Sequence, residues 1–320
     1  MKIGRLVIVF RDNHYGLTRD AQILRDGIAS IGLDTILVDK RTRGFLNSLR
    51  RRPVADTIIH LERIHPRWLS AAENHILIPN QERFPARHLG KLRNVDLVLT
   101  KTLHAKEIFC KHDIHCEYLG FTSADRYDRS ISKDWHCFFH LAGGNTLKGT
   151  EDILALWRMH PEWPTLVLVQ KQKNAPRVVP PNIILHSGYI DDHELKRLQN
   201  SCGIHLCPSQ SEGWGHSIVE GMSCGVTLVT TDAPPMNEHV TSNCGVVVQS
   251  ERFESRHLGR RYFVERGVLE AAITRLLAEP LSSLQLRGIN ARRRFEQINR
   301  SFVSRLQAVF EQCSRTGGVK

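Results

Sequence analysis

Two glutamates with a fixed spacing mark the tract SEGWGHSIVEGMSCG, residues 211–225. Seven residues separate Glu212 from Glu220, and a Gly-Trp-Gly run at 213–215 directly follows the first glutamate. Because glycines disfavour helix, Glu212 is predicted in a loop and Glu220 in a helix over about 217–224. Carboxylates accept hydrogen bonds from hydroxyl groups, and the N–H groups at a helix start bind phosphate oxygens. The tract therefore combines the donors and acceptors that a nucleotide-sugar site needs.

Each glutamate also has a purely structural interpretation. Ser217 and Glu220 match the S-x-x-E capping box, and Glu212 could be a solvated loop acid. The position of the tract favours a ligand, because the strand-like run GIHLCP (203–208) ends just before it. Ligands of parallel α/β sheets bind at the carboxyl ends of the strands. The sequence leaves both interpretations open.

A glycine-rich turn lies upstream, in HLAGGNTLKGTED at residues 140–152. It follows a predicted strand, and the next helix is predicted to begin with Thr150 as its N-cap. The glycines of this turn, Gly144 among them, would let the backbone approach a phosphate closely, and Lys148 would supply a positive charge. The spacing is neither that of a P-loop nor GxGxxG, so a simple strand-to-helix turn is the alternative.

A third candidate region follows the strand-like run NIILH at residues 182–186. Gly188 and Tyr189 come directly after it, where a planar base could rest against backbone amides. A turn glycine with a packed tyrosine explains the pair equally well. Asp191 and Glu194 fit a capping box and are predicted to start a helix.

The whole chain alternates short apolar runs with helical patterns, which indicates parallel sheets covered on both faces. The polar stretch 122–134 lacks apolar periodicity and is the predicted domain boundary. We therefore expect an α/β protein of two doubly wound Rossmann-like domains facing a central cleft. The predicted strands are 5–10, 35–38, 56–60, 75–78, 95–100, 136–142, 165–170, 182–186, 203–208 and 226–231. The predicted segments are 1–125, 126–300 and a C-terminal helix, 301–320, packing back on the N-terminal domain.

The chain of 320 residues carries a net charge of +11, which indicates an anionic partner. Basic residues concentrate in one region and alternate there with apolar ones. Three interpretations of this region are open. A solvated basic face is favoured most, docking on anionic lipid comes second and nucleic-acid binding third. Its residues are Lys40, Arg41, Arg43, Phe45, Leu46, Leu49, Arg50, Arg51 and Arg52.

Neither a transmembrane run nor a signal peptide is expected, because no apolar stretch approaches the roughly 18 residues of a membrane span. The eight cysteines show no zinc-ligand spacing and are expected as reduced thiols. These features predict a cytoplasmic protein, with peripheral contact at the inner face of the membrane as a further expectation from the basic region.

The C-terminal half resembles the retaining glycosyltransferases of the GT-B fold, in particular glycosyltransferase family four. Their signature of two glutamates seven residues apart stands here as EGWGHSIVEGMSCG, with Glu212 and Glu220 in register. The tracts KGT, GYIDDHELKRLQNSCGIHLCPS and TTDAPPMNEHV also fit, so the resemblance covers about residues 136–248. It is weaker in the N-terminal half.

The resemblance implies roles for the matching residues. Glu212 would lie by the donor sugar, Glu220 would bind the ribose hydroxyls, and Lys148 would neutralise the pyrophosphate. An arginine that the family places before this lysine is missing, and Lys171 or Lys173 would have to replace it. The other implied donor contacts are Gly144, Asn145, Gly188, Tyr189, Gly213, Trp214, Gly215, His216 and Ser217.

The N-terminal domain is expected to hold the acceptor at its strand ends. Only Gly16 remains of the glycine-rich loop that the family places there. Any one of the candidates could simply be a polar side chain at the surface, and only the set as a whole indicates a site. The candidates are Tyr15, Gly16, His60, Glu62, Asn80, Gln81, Glu82 and Lys101.

The resemblance thus implies transfer of a sugar, with retention, from a nucleoside-diphosphate sugar to an acceptor hydroxyl in polysaccharide, glycolipid or other glycoconjugate synthesis. The expected acceptor is a saccharide, a lipid-linked molecule or another hydroxyl compound. No metal is expected, since the sequence has no DxD tract that would argue for one. No other cofactor and no nucleic acid is expected either. The alternatives are a nucleotide-sugar epimerase of the same fold and a non-catalytic basic protein that binds nucleic acid or membrane.

Overall fold

The computed structural model describes residues 4–14, 16–44 and 53–316. The chain forms two compact units. Unit 1 comprises Met1–Thr122, Ser255–Gly259 and Ile298–Lys320, and unit 2 comprises Ser123–Glu254 and Arg260–Gln297. The predicted division at residue 125 lies three residues from this one. No local pattern in the sequence indicates that the short segment 255–259 groups with the N-terminal residues.

Unit 1 contains a six-stranded parallel sheet with the order β2-β1-β3-β4-β5-β6. Its first five strands coincide with the predicted ones. The strands are β1 Leu6–Phe10, β2 Thr35–Asp39, β3 Thr57–Glu62, β4 Asn74–Pro79, β5 Leu97–Thr100 and β6 Cys116–Tyr118. The helices are α1 Gly16–Ser30 and α2 Leu103–Phe109, with short 3-10 helices at Pro66–Trp68, Gln81–Arg83 and Ala86–Asn94.

Burial explains the composition of these elements. All five residues of β1, LVIVF, are buried, as expected for a parallel strand that is covered on both faces. Helix α1 buries Leu17, Ala21, Leu24 and Ile28, which recur at three- and four-residue steps on one face. The sheet and its helices therefore fix the strand ends from which the polar loops of unit 1 emerge.

Unit 2 is built on a seven-stranded sheet with the order β13-β12-β11-β10-β7-β8-β9. A hairpin, β12–β13, adds two strands that the sequence analysis did not predict. The strands are β7 Asp134–Gly143, β8 Leu166–Gln170, β9 Ile183–Ser187, β10 Cys202–Cys207, β11 Thr227–Asp232, β12 Gly245–Arg256 and β13 Gly259–Val264. The helices are α3 Thr150–Met159, α4 Asp192–Ser201, α5 His216–Cys224, α6 Met236–His239 and α7 Arg266–Leu277. The last helix, α8 Leu281–Thr316, belongs to unit 2 up to Gln297 and to unit 1 from Ile298.

An aromatic cluster fills the core of unit 2. Trp157 packs edge-on against Phe138 and Trp163, with ring centroids 5.1 and 5.0 Å apart. Its indole N–H donates to the carbonyl of Pro164 at 2.9 Å, so the buried ring leaves no polar group unsatisfied. Strands β7 to β11 are parallel, which brings their carboxyl ends to one edge of the sheet.

The expectation that all cysteines are thiols is wrong for one pair. Cys110 and Cys116 form a disulfide, with Cα atoms 5.3 Å apart, where the end of α2 meets the start of β6. The six other cysteines are free and buried, as expected for reduced thiols.

The basic region is only partly described. Arg50, Arg51, Arg52, Phe45, Leu46 and Leu49 lie outside the described residues. Arg41 pairs with Asp39 at 2.8 Å on the surface. Arg43, by contrast, is buried with its guanidinium 5.7 Å from the ring centroid of Trp68, so it does not belong to a solvated face. Among the described residues, no helix is both long and apolar enough to cross a membrane.

Candidate functional site

The centre of the site is an ion pair between two loops of unit 2. The Lys148 ammonium donates to Oε1 of Glu212 at 2.5 Å and to Oγ of Ser217 at 3.1 Å. Lys148 follows β7, Glu212 follows β10, and these strands are neighbours in the sheet. The structure thus brings together three residues that the sequence analysis assigned to donor binding.

A glycine positions the lysine. Gly149 has φ 69°, and a Cβ atom at this position would lie 2.6 Å from the carbonyl oxygen of Pro208. The Gln210 N–H also donates to the carbonyl of Leu147 at 2.8 Å. The glycine-rich turn is therefore fastened to the end of β10, because only glycine combines this backbone angle with so close an approach.

The predicted N-cap of α3 is wrong. Gly149, not Thr150, is the cap, and Thr150 is the first residue of the helix. The Thr150 hydroxyl lies 2.9 Å from Nε2 of His140, whose Nδ1 lies 2.7 Å from the Leu206 carbonyl oxygen. Burial lowers the pKa of His140 to about 4, so the ring is neutral and serves as an internal bridge between β7, β10 and α3.

Electrostatics keep both members of the central pair charged. Burial disfavours the charge on Lys148, but the Glu212 carboxylate outweighs it and raises the pKa of Lys148 above its ordinary value. Burial likewise opposes the charge on Glu212, and the lysine lowers the pKa of that carboxyl. The side chains remain 14% and 12% exposed, so a ligand can reach the pair.

The loop after Glu212 is held from inside the protein. Trp214 is buried, its indole N–H donates to Ser123 Oγ at 3.1 Å, and its carbonyl oxygen lies 2.6 Å from His239 Nε2. His216 Nδ1 lies 2.8 Å from the same Ser123 oxygen. In this structure Trp214 fixes the loop, and Gly215, with φ 106°, turns the chain into α5.

The capping-box interpretation of Ser217 and Glu220 is wrong. Helix α5 begins at His216 after Gly215, so Ser217 lies inside the helix, where its hydroxyl oxygen accepts a hydrogen bond from Lys148. Glu220 is only 1% exposed, and its Oε2 accepts from Gln199 Nε2 at 3.2 Å. Its predicted contact with the ribose stays a prediction.

A second cation lies over the glycine-rich turn. A Cβ atom added to Gly144 would come within 2.9 Å of Cδ of Lys171, and the Lys171 N–H donates to the carbonyl of Gly143 at 2.9 Å. Asn145 accepts from the N–H of Leu147 at 3.1 Å and closes the turn. Lys173 is exposed in the following 3-10 helix. Of the two candidates for the missing arginine, Lys171 is the one that lies against the turn.

The carboxyl end of β9 opens into a pocket of about 380 Å³ whose lining includes Gly188, Tyr189 and Glu194. Gly188 has φ 96°, a conformation that suits glycine, and the Tyr189 side chain is 94% exposed. The predicted cap is confirmed, because Asp191 accepts from the N–H of Glu194 at 2.8 Å. The pocket lies on the same sheet edge as the turns of Lys148 and Lys171.

The acceptor candidates of unit 1 divide into interior and surface residues. His60 is fully buried with Nε2 3.1 Å from His75 Nδ1, and buried Lys101 donates to Asp20 at 2.8 Å. These two side chains hold the interior together, and the geometry gives them no access to an acceptor. Gln81 and Glu82 are buried, Asn80 and Glu62 are half-buried, Gly16 starts α1, and Tyr15 lies outside the described residues.

Over the described ranges, no group of three or more His, Cys, Asp or Glu side chains is arranged to hold a metal ion. The groups that surround the glycine-rich turn of unit 2 are instead the ammonium groups of Lys148 and Lys171, the carboxylate of Glu212 and the backbone amides of the turns. Such groups can hold an anionic ligand and accept hydrogen bonds from its hydroxyl groups.

Comparisons with known proteins find a matching family model and several solved structures of similar fold. The family model described as glycosyl transferases group 1 matches residues 178–266, which include Glu212 and Glu220. No curated protein sequence matches the chain significantly.

Several solved structures share the fold at low sequence identity. Sucrose-phosphate synthase from Thermosynechococcus elongatus has a TM-score of 0.72 at 13% identity, covering 98% of this chain and 99% of that one. Anabaena HepE, solved with UDP and glucose, has a TM-score of 0.67 at 14% identity, covering 97% and 99%.

The pneumococcal O-GlcNAc transferase GtfA, in complex with UDP and GlcNAc, has a TM-score of 0.64 at 14% identity and covers 87% of this chain. The chain spans 60% of the length of that protein. The chain therefore has the GT-B fold, and its residues 178–266 match the group 1 glycosyl transferases.

Proposed function

We propose that this protein is a retaining glycosyltransferase that moves a sugar from a nucleoside-diphosphate sugar to an acceptor hydroxyl. The observation that carries the proposal is the Lys148–Glu212 pair, 2.5 Å apart, at the sheet edge of unit 2 and against the start of α5. A cation beside backbone amides suits a diphosphate, and a carboxylate at the same point suits sugar hydroxyls. Glu212 also lies inside the segment that matches the group 1 family.

The donor would lie across the turns that follow β7 to β10. Its diphosphate would contact Lys148, Lys171 and the amides at the start of α5, and its base would occupy the pocket at Gly188 and Tyr189. UDP is the first candidate for the nucleotide, because GtfA and HepE were both solved with UDP. Glu220 would reach the ribose only after a change in its contact with Gln199.

In the reaction, the bond between the anomeric carbon and the diphosphate oxygen breaks, and a bond to the acceptor oxygen forms on the same face. The acceptor proton passes to the departing diphosphate. Lysine charge and the dipole of α5 stabilise the negative charge that develops on that diphosphate. Glu212 stabilises the positive charge on the sugar ring, and no metal or other cofactor takes part.

The proposal is tested by incubating the full chain with UDP-, GDP- and ADP-sugars and a panel of saccharide and lipid-linked acceptors. We expect a product whose anomeric proton, read by NMR, has the configuration of the donor. Glu212→Ala should abolish transfer, whereas Glu251→Ala, an exposed residue of the hairpin, should not. Turnover of the Glu212 variant at the rate of the unaltered protein would contradict the proposal.

Two other functions have distinct signatures. An epimerase of the same fold would convert the donor sugar with no acceptor present, so a donor-only incubation separates it from a transferase. A non-catalytic basic protein would bind nucleic acid or anionic vesicles with steep salt dependence and would not bind nucleotide sugars. The lysine–glutamate pair beside the glycine-rich turn favours the transferase.

A further inference from the structure

A group of four arginines lies at the carboxyl edge of the sheet in unit 1. Strands β3 and β4 are paired so that Glu62 is opposite Pro79, and both strands end at these residues. Arg63 directly follows β3, and Arg83 ends the 3-10 helix that follows β4. Arg87 comes one turn later, near the start of the next 3-10 helix. Arg256 completes what we call the arginine cluster.

A separate segment of the chain, 255–259, brings Arg256 to the other three. The Leu258 N–H donates to the carbonyls of Gln81 and Phe84, each at 3.2 Å. A Cβ atom added to Gly259 would lie 3.2 Å from the backbone of Glu82. The segment is thus held against the loop that carries Arg83, and its exposed His257 lies among the arginines.

The surroundings of His257 give independent evidence that the four arginines converge. Partial burial lowers the pKa of His257 most, and the positive charges of four arginines lower it further. In decreasing order, those charges are Arg63, Arg256, Arg83 and Arg87. Three carboxylates are within two residues of these arginines in the chain: Glu62, 3.2 Å from Arg63, the buried Glu82, and Glu254, which pairs with Arg252 at 3.0 Å. The arginines outnumber them, so the surface carries an excess of positive charge.

Backbone strain is concentrated at the same place. Glu62 has φ 67° and stands at the centre of a tight turn in which the Arg63 N–H donates to the Leu61 carbonyl at 2.8 Å. His257 has φ 55°. In the described part of the chain, His14 is the only other non-glycine residue with positive φ. Residues held in such conformations collect at functional sites.

We propose that the arginine cluster binds an oxyanion, either phosphate or carboxylate, that belongs to the acceptor substrate. The inference rests on the proposed function, which assigns the acceptor to unit 1. Planar guanidinium groups bind both oxyanions through paired hydrogen bonds, which neutral sugars cannot match. The chain would then glycosylate sugar phosphates, phosphate-linked lipids or uronic-acid saccharides in preference to neutral ones.

The test follows the ring protons of His257 by NMR in the full chain, with His257→Gln to assign the signal. Inorganic phosphate, glucose 6-phosphate, glucuronate and neutral glucose are titrated at constant ionic strength. Phosphate and at least one anionic sugar should saturate the site and raise the pKa of His257, and glucose should do neither. Tighter binding of glucose 6-phosphate would indicate an acceptor that carries a phosphate, and tighter binding of glucuronate would indicate one that carries a carboxylate.

Charge-matched variants make the test specific. Arg63→Gln and Arg87→Gln should each weaken binding at least fivefold, and Arg25→Gln, on the exposed side of α1, should leave it unchanged. An unchanged His257 pKa in all four titrations, or equal losses in the three variants, would overturn the inference. Binding to anionic vesicles without binding to any soluble oxyanion would overturn it as well. UDP binding by unit 2 is measured separately, so failure here is distinct from failure of the proposed function.

Discussion

Lys148 and Glu212, which are 64 residues apart in sequence, meet with 2.5 Å between ammonium and carboxylate. Each sustains the charge of the other in a site that is largely closed to water. Because the Lys148 ammonium also donates to the Ser217 hydroxyl, this group of contacts joins the turn after β7, the loop after β10 and the first turn of α5. Any ligand that binds there must contact a preformed arrangement of both signs of charge.

The first prediction concerns the lysine. Lys148→Ala should weaken UDP binding at least tenfold, about 1.4 kcal/mol, and change uridine binding less than threefold, because only the diphosphate needs the cation. Calorimetric titration of both ligands measures the two effects, and Lys106→Ala, exposed on α2, is the control. Equal losses for UDP and uridine would remove the phosphate role from Lys148.

The second prediction separates two neighbouring lysines. Lys171 covers Gly144 of the glycine-rich turn, whereas Lys173 is exposed. Lys171→Ala should therefore weaken UDP binding by a factor of about three to ten, as expected for one partly exposed charge contact, and Lys173→Ala should have no effect. If both variants bind like the unaltered protein, no lysine of this segment replaces the missing arginine.

The third prediction tests how the turn is built. Gly149→Ala forces a methyl group to within 2.6 Å of the Pro208 carbonyl, whereas Gly143, also at positive φ, has open space around its missing Cβ. Both variants should lose about 1–2 kcal/mol from the backbone conformation, but only Gly149→Ala adds a clash and displaces Lys148. Thermal unfolding should rank Gly149→Ala well below Gly143→Ala, and UDP binding should fall in the former alone. Similar melting temperatures would contradict the close approach.

The fourth prediction concerns acid stability. Burial lowers the pKa of His140, His205 and His239 of unit 2 to about 4, 3 and 4. In the unfolded chain these rings take up protons near the ordinary value of 6.5, so the unfolded state binds more protons below that pH. The free energy of unfolding should therefore fall as pH drops from 6.5 towards 4, by up to about 4 kcal/mol per pH unit.

Urea denaturation at pH 8, 7, 6 and 5, followed by tryptophan fluorescence, measures this slope. The midpoints should fall steadily below pH 6.5 and stay nearly constant between pH 7 and 8. A midpoint that does not move between pH 7 and 5 would mean that these histidines are not buried in the neutral form.

Local patterns predicted most of the fold. Apolar runs located the first five strands of unit 1 and the first five of unit 2, because strands buried on both faces need continuous apolar sequence. The β12–β13 hairpin was missed, because only the short run of valines at 246–248 is apolar in β12 and the rest of that strand is an exposed stretch rich in arginine and glutamate. The pairing of Cys110 with Cys116 depends on the meeting of α2 with β6, which spacing alone does not reveal.

The sequence indicated which residues belong to the candidate site, but it did not indicate which of them contact one another. Glycines and strand ends marked Lys148 and Glu212 separately, but their meeting requires β7 and β10 to be neighbours in the sheet. His60 and Lys101 look like polar loop candidates in sequence, yet their partners His75 and Asp20 hold them in the interior. Such long-range pairing satisfies buried polar groups and leaves no local trace.

Glu212 and Lys148 together should form the donor site, and their joint role can be measured. The most direct measurement is calorimetric binding of UDP-glucose, with GDP- and ADP-glucose beside it, to the unaltered chain, Glu212→Gln and Lys148→Ala. We predict saturable binding of at least one nucleotide sugar, at least tenfold weaker binding to each variant, and a smaller loss of free UDP affinity for Glu212→Gln than for Lys148→Ala. Binding of a nucleotide sugar that neither substitution changes would contradict the central claim.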